Sequence, residues 1–155
     1  VLGLPMIRNE KTVDPSDSKS PKVIQLESAM GAAIEVFEGS VTIEVGRDRF
    51  VPVKTTNDLL VLRSDVYDID ADFVLQQQAP VPFIDLDDNY KLIQDFDDRF
   101  PSGAPSLREA TSLVVKGDWT FGGGVKVLGD AVVSGNRGRI DEGTILGDTD
   151  GEAGS

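Results

Sequence analysis

Lys54 is the side chain whose neighbours in the sequence point most directly to chemistry. Pro52 disfavours a helix at that point, so the residues before Lys54 should be extended. Thr55 and Asp58 have the spacing of a capping box and precede the apolar run 59–62, which predicts a helix start. Unpaired backbone N–H groups and the helix dipole attract anions there, and a lysine ammonium beside them favours phosphate. The alternative is a capped helix preceded by a solvated lysine.

The elements that would position Lys54 follow from the pattern of the preceding residues. Residues 1–21 are rich in Pro, Asp, Ser and Lys, which is typical of a surface loop. Residues 22–26 predict a short strand, and residues 28–37 predict a helix whose buried stripe comprises Met30, Ala33, Ile34 and Phe37. The apolar–polar alternation at 41–45 predicts a half-buried strand. The order strand, helix, strand, helix predicts an α/β layer, with ligands bound beyond the strand ends.

The middle of the chain carries acidic and helical patterns. Asp70 and Asp72 superficially resemble a metal-binding pair, but a solvated acidic edge is the favoured interpretation. Glutamine and proline residues at 76–82 indicate a linker or boundary. Asn89 is the predicted cap of a second amphipathic helix, whose apolar face comprises Leu92, Ile93, Phe96 and Phe100.

A six-residue period runs through the chain from Leu113 onward. Apolar residues recur at this interval in two series, which are Val115, Phe121, Val127 and Val133, and Leu113, Trp119, Val125 and Ala131. The spacing is interrupted at 137–139 and resumes at Ile140 and Leu146. This hexapeptide pattern predicts a parallel β-helix. Trp119 is larger than its series expects, so we expect a local bulge or a packing cap there.

Composition excludes several kinds of site. The chain of 155 residues has a formal net charge of −12, which disfavours nucleic acid and anionic membranes as partners. An anionic substrate must therefore be met by locally placed cations. The absence of cysteine and histidine excludes thiolate chemistry, histidine acid–base catalysis and histidine–metal sites within this sequence. The glycine cluster 122–124 opens no predicted helix, so it is not a phosphate-binding loop.

Several blocks of the sequence resemble, in order, the late catalytic region of the eukaryotic-type UTP–glucose-1-phosphate uridylyltransferases. The blocks are NEKT at 9–12, PKVIQLE at 21–27, AMGAAIE at 29–35 and RFVPVKTTNDLL at 49–60, with shorter matches at 4–5 and 14–15. Glu10 departs from the family pattern, which usually has proline at this position. The resemblance extends from about Leu4 to about Leu146, which is nearly the whole chain.

The resemblance implies an enzyme that makes UDP-glucose and pyrophosphate from UTP and glucose 1-phosphate with Mg²⁺. It implies that Lys54 is the catalytic lysine and contacts the substrate phosphates, with Phe50 walling the sugar side and Lys11 approaching a phosphate or sugar. Core packing for Phe50 and a solvated loop position for Lys11 are the alternatives. The resemblance further implies a cytoplasmic enzyme whose oligomers pack through the β-helix.

The implied fold is α/β, with the C-terminal part of a Rossmann-like nucleotidyltransferase domain followed by a left-handed parallel β-helix. We expect catalytic-domain residues at 1–75, a linker and docking helix at 76–106, and the β-helix at 107–151. Since Val1 is not an initiator methionine and the UTP loop of the family is absent, we expect a C-terminal portion that lacks the metal ligands and is inactive alone. The alternatives are a UDP-sugar or UDP-N-acetylhexosamine pyrophosphorylase, or a non-catalytic β-helix module for oligomerisation.

Overall fold

The computed structural model describes residues 3–46 and 50–147, which fall into two compact units, Val1–Arg49 and Phe50–Ser155. Arg49 of the resemblance block and residues 148–151 of the predicted β-helix lie outside the described residues. The described part of the chain is mixed α/β with a parallel sheet. None of its helices has the length and apolar character that crossing a bilayer requires.

The first unit contains an antiparallel hairpin. Strand β1 (Met6–Thr12) pairs with strand β2 (Lys22–Ser28) from Met6 opposite Ser28 to Thr12 opposite Lys22. The strand predicted at 22–26 is confirmed, whereas the prediction of a loop throughout 1–21 is wrong at β1. Loop composition identifies only the connection, where the Asp14 carboxylate accepts the amide and hydroxyl of Ser16.

The helix and strand predicted at 28–37 and 41–45 are wrong. Only a 3-10 helix, Met30–Glu35, forms, and the described residues at 41–45 form no strand. Three of the four predicted stripe residues, Met30, Ile34 and Phe37, are exposed, and no described residue of this unit is buried. Helices and strands take most of their stability from packing an apolar face. The periodicity of these residues finds no such surface within the described unit.

The second unit is built on a parallel sheet of four strands. The unit begins with helix α1 (Thr56–Arg63), which is followed by a hairpin of β3 (Tyr67–Ile69) and β4 (Leu75–Gln77). Strand β5 (Phe83–Leu86) is followed by a 3-10 helix (Asp88–Tyr90) and α2 (Ile93–Arg99). The sheet has the order β5-β6-β7-β8 and is completed by β6 (Ser106–Phe121), β7 (Lys126–Ile140) and β8 (Ile145–Gly147).

The register of the parallel sheet follows the six-residue period. Leu113 lies opposite Ala131 and Val115 opposite Val133, so these partners are separated by 18 residues, or three repeats. After a register shift at Lys116–Asp118 the separation is 19 residues, and Trp119 lies opposite Gly138. This bulge absorbs the interruption at 137–139 and confirms the irregularity expected at Trp119. A side chain at position 138 would overlap the indole ring, so glycine is needed there for space.

The inward-facing repeat residues form the centre of the core. Leu113, Val115, Phe121 and Val127 are each at most 1% exposed. Beside them the Phe100 ring packs against the rings of Tyr90, Phe96 and Phe121, with centroid separations of 4.9–5.7 Å. Leu60 and Val61 of α1 belong to the same core. Helix α1 therefore packs with the sheet, although the predicted domain boundary at residue 75 lies between them.

Helix α2 differs from its prediction in its start. Asp87, rather than Asn89, caps the 3-10 helix, and α2 begins only at Ile93. Phe96 and Phe100 are buried as predicted, whereas Ile93 is 56% exposed.

Asp65 joins the end of α1 to the start of β6. Its carboxylate accepts hydrogen bonds from the Ser106 hydroxyl (2.6 Å) and from the amides of Leu107 (2.8 Å) and Arg108 (3.2 Å). Burial alone would raise the pKa of Asp65, but these hydrogen bonds and the charge of Arg108 together hold the pKa below its usual value. The carboxylate is therefore ionised at neutral pH and accepts hydrogen bonds from three donors of β6.

Replacing Asp65 should destabilise the second unit. We expect Asp65→Ala to lower the free energy of unfolding by about 2 kcal/mol, because strand donors lose a charged acceptor. Urea unfolding of the 155-residue chain followed by circular dichroism measures this loss. Asp72→Ala is the matched control, since the exposed Asp72 carboxylate accepts no hydrogen bond among the described residues, and its effect should stay within about 0.5 kcal/mol. Equal losses in the two variants would contradict this role for Asp65.

Candidate functional site

The candidate site is the first turn of α1 and the segment that leads into it. Thr55, in an extended conformation, is the N-cap residue, and it forms a capping box with Asp58. One carboxylate oxygen of Asp58 accepts the backbone amides of Lys54 (2.9 Å) and Thr55 (2.8 Å). The predicted helix start and capping box are confirmed. The backbone of Lys54 is thus tied to the helix that follows it.

Asp58 supplies part of the negative charge that the sequence predicts an anionic ligand to bring to the start of α1. The hydrogen bond from the Lys54 amide is the largest influence on its pKa; with the bonds from Thr55 and the Lys54 charge, it outweighs burial and lowers the pKa. An ionised carboxylate thus compensates the positive end of the helix dipole. The ammonium of Lys54, rather than the helix terminus itself, is therefore the group available to an external anion.

The side chains of Lys54 and Phe50 are both exposed. Lys54 has no ion-pair partner among the residues that the structure describes. Phe50 is 72% exposed, so it is not a core residue within the described unit. Each of the two side chains is therefore accessible to a ligand.

A cavity of about 360 Å³ lies beside the first turn of α1. Its apolar walls are formed by residues before α1, in α1, before β5 and at the start of β5, namely Val51, Pro52, Val61, Val81, Pro82, Phe83 and Ile84. Asn57 and Asp58 contribute its polar wall. The cavity therefore adjoins the segment that carries Lys54.

Asn57 is the site residue that sequence reasoning missed. Its side-chain oxygen accepts the backbone amide of Leu86, at the end of β5, at 3.1 Å. The partners are 29 residues apart in sequence, so no local pattern reveals the contact.

The remaining candidates belong to other elements of the chain. Lys11 lies in β1 of the first unit, opposite Val23, with its side chain exposed. Asp70 shapes the turn between β3 and β4, since its carboxylate accepts the amides of Asp72 and Val74 at 2.9 Å. Within residues 3–46 and 50–147, no three acidic side chains converge as metal ligands.

Comparisons with known proteins identify relatives along most of the chain. The family model for UTP–glucose-1-phosphate uridylyltransferase matches residues 1–128. The UTP–glucose-1-phosphate uridylyltransferase of Hordeum vulgare is 40% identical over 156 residues, covering 96% of this chain and 32% of the barley protein.

Two solved structures have the same fold over most of the chain. UDP-glucose phosphorylase from Trypanosoma brucei has a TM-score of 0.81 at 45% identity and covers 94% of this chain and 33% of its own. UDP-glucose pyrophosphorylase from Leishmania major has a TM-score of 0.78 at 47% identity and covers 96% of this chain and 33% of its own. The chain thus spans about a third of the length of the relatives that it matches.

Asp58→Asn should weaken the start of α1 in a pH-dependent way. We expect a loss of about 1 kcal/mol in the free energy of unfolding at pH 7, because the charged cap is removed. Since folding lowers the pKa of Asp58, its contribution is complete above the unfolded value of about 4 and is lost as the pH falls through the folded value.

Urea unfolding of wild type and Asp58→Asn at pH 7 and pH 3 measures this dependence. Asp141→Asn is the control, because the exposed Asp141 carboxylate accepts no hydrogen bond within the described part of the chain. A difference between wild type and Asp58→Asn that grew at low pH would contradict the assignment.

Proposed function

Because the chain belongs to the UTP–glucose-1-phosphate uridylyltransferase family, we propose that it is part of an enzyme that makes UDP-glucose and pyrophosphate from UTP and glucose 1-phosphate. The observation that carries this proposal is the exposed Lys54 ammonium ahead of a capped helix, in a segment that the family model covers. The activity is proposed for the complete enzyme, since the chain corresponds to about a third of its relatives' length.

The proposed reaction mainly requires stabilisation of the negative charge that develops on phosphate oxygens. A phosphate oxygen of glucose 1-phosphate attacks the α-phosphorus of UTP, and the bond to the leaving pyrophosphate breaks. Negative charge builds on the phosphoryl and leaving oxygens, so a positioned cation lowers the barrier without a covalent intermediate. In a chain with a net charge of −12, a local cation is needed to attract these anions at all.

Lys54 is suited to this role by the way its backbone is held. The Asp58 carboxylate binds the Lys54 amide, while the side chain extends from the protein without an ion-pair partner in the described residues. An ammonium is a compact charge with three donors, which matches phosphate oxygens. We assign Lys54 as the catalytic lysine, Phe50 to the sugar side of the substrate, and Lys11 to a further phosphate or sugar contact.

Mg²⁺ is the proposed metal of the complete enzyme. The described residues do not fit it, because they bring no group of acidic side chains together as ligands, and Asp70 is engaged in its own turn. We therefore assign no step of the reaction within this chain to the metal, and we expect its ligands elsewhere in the enzyme.

The finer features of the fold also belong to this proposal. We propose that residues 1–75 complete a Rossmann-like catalytic domain, that 76–106 connect and dock, and that 107–151 form a left-handed β-helix. The parallel partners separated by three six-residue repeats support the β-helix. A homo-oligomer through its wall and a cytoplasmic location are proposed from the family resemblance alone.

Glucose 1-phosphate is favoured over other sugar phosphates by the names of the relatives. Both the matching family and the barley protein are described as acting with UTP on glucose 1-phosphate. Comparing the rate of pyrophosphate release from UTP when glucose 1-phosphate or an N-acetylhexosamine 1-phosphate is the second substrate separates this function from the related pyrophosphorylases.

Lys54→Ala in the complete enzyme should lower kcat by about 30- to 1000-fold, equivalent to about 2–4 kcal/mol of lost charge stabilisation. Coupled detection of pyrophosphate with UTP and glucose 1-phosphate measures the loss. Lys91→Ala is the matched control, because Lys91 is another exposed lysine of the same unit, and its turnover should remain near wild type. Wild-type turnover in Lys54→Ala would refute the assignment.

The 155-residue chain by itself should form no appreciable UDP-glucose. We expect this because the proposed UTP loop and metal ligands are not in the sequence. Incubation of the purified chain with UTP, glucose 1-phosphate and Mg²⁺, followed by chromatography, is the measurement. Turnover comparable to the complete enzyme would show that the chain holds a full active site.

A further inference from the structure

The contact between Asn57 and Leu86 connects the helix that follows Lys54 to the parallel sheet. Among the residues that the structure describes, β5 is an edge strand paired with β6 alone, so some of its amides have no strand partner there. The amide of Leu86 obtains its acceptor from the Asn57 side chain at 3.1 Å in a partly buried setting. A partly buried amide deprived of its acceptor is costly, so this contact constrains the distance between the two elements.

Asn57 and Asp58 together connect the sheet to the backbone of Lys54 through hydrogen bonds. Asp58 holds the amides of Lys54 and Thr55 through one carboxylate oxygen. Asn57, the preceding residue, holds the same helical turn to the last residue of β5. Two consecutive side chains thus add hydrogen bonds that restrain the Lys54 backbone relative to the sheet, beyond the packing of Leu60 and Val61.

The other end of α1 is fastened independently. Arg63 pairs with Asp97 of α2 at 2.6 Å, and Asp65 accepts three donors of β6. Loss of the Asn57 contact would therefore release the start of α1 while its end stays in place. The released end is the one that carries Lys54.

We propose that Asn57 is a positioning residue, which fixes the Lys54 ammonium for phosphate charge stabilisation by tying the first turn of α1 to the edge strand β5. The catalytic part of this inference rests on the proposed uridylyltransferase function. Displacement of a catalytic group by about 1 Å is enough to lower a rate by up to roughly a hundred-fold. Asn57 therefore acts on turnover through Lys54, without itself contacting the substrate.

The test uses three variants of the complete enzyme. Asn57→Ala removes the acceptor, and Asn57→Asp keeps an acceptor of the same size. Ser106→Ala is the matched control, because it removes one hydrogen bond to the sheet from Asp65, which follows the opposite end of α1. Steady-state kinetics and site-resolved amide hydrogen exchange are measured for each variant.

We expect Asn57→Ala to lower kcat by about ten-fold or more, with the KM for glucose 1-phosphate within about two-fold of wild type. Ser106→Ala should keep the wild-type kcat. In Asn57→Ala the amides of Leu86, Lys54 and Thr55 should exchange at least about ten-fold faster, whereas Asn57→Asp should retain the protection of Leu86.

The two readouts separate the positioning role from the proposed function. Equal kcat values for Asn57→Ala and Ser106→Ala, or unchanged exchange at Leu86, would overturn the positioning role. If the wild-type enzyme forms no UDP-glucose, the proposed function fails. In that case, faster exchange at Lys54 and Thr55 in Asn57→Ala still supports Asn57 as the residue that holds this segment.

Discussion

The second unit depends on the packing of buried side chains that lie opposite one another on neighbouring strands of the parallel sheet. Leu113 over Ala131 and Val115 over Val133 place apolar residues in columns that are nearly free of solvent. Burial of such residues contributes about 25 cal/mol per Å² of apolar surface removed from water. A register shift of one residue would turn these side chains outward, so the six-residue period determines both the strand pairing and the core.

Helix α1 takes its position from this stack. Leu60 and Val61 pack into the same core, and polar contacts fasten the helix at each end. The Lys54 side chain is exposed, while its backbone amide is bound by the Asp58 carboxylate. This arrangement supports the role that we propose for Lys54, because a positioned cation stabilises developing charge without further reorganisation.

The parts of this structure that are visible in the sequence are those encoded by neighbouring residues. Thr55 and Asp58 form their capping box within one turn, and the hexapeptide spacing matches the register of β6 and β7 between Ser112 and Lys116, where the partners are 18 residues apart. Residues 28–45 were mispredicted because their apolar periodicity implies a packing surface that the described unit does not contain. The Asn57 contact was not predictable, because its donor is a backbone amide on a distant strand and carries no residue-type signal.

The intrinsic fluorescence of Trp119, which lies next to the bulge in β6, can report on the pairing of β6 and β7. Trp119 is the only tryptophan in the sequence, and its ring occupies the space left by Gly138 on the adjacent strand. Its fluorescence emission therefore depends on whether β6 and β7 remain in contact at that corner. The indole is half-buried, so separation of these strands would increase its exposure to water and shift the emission further to longer wavelengths, with no dye attached.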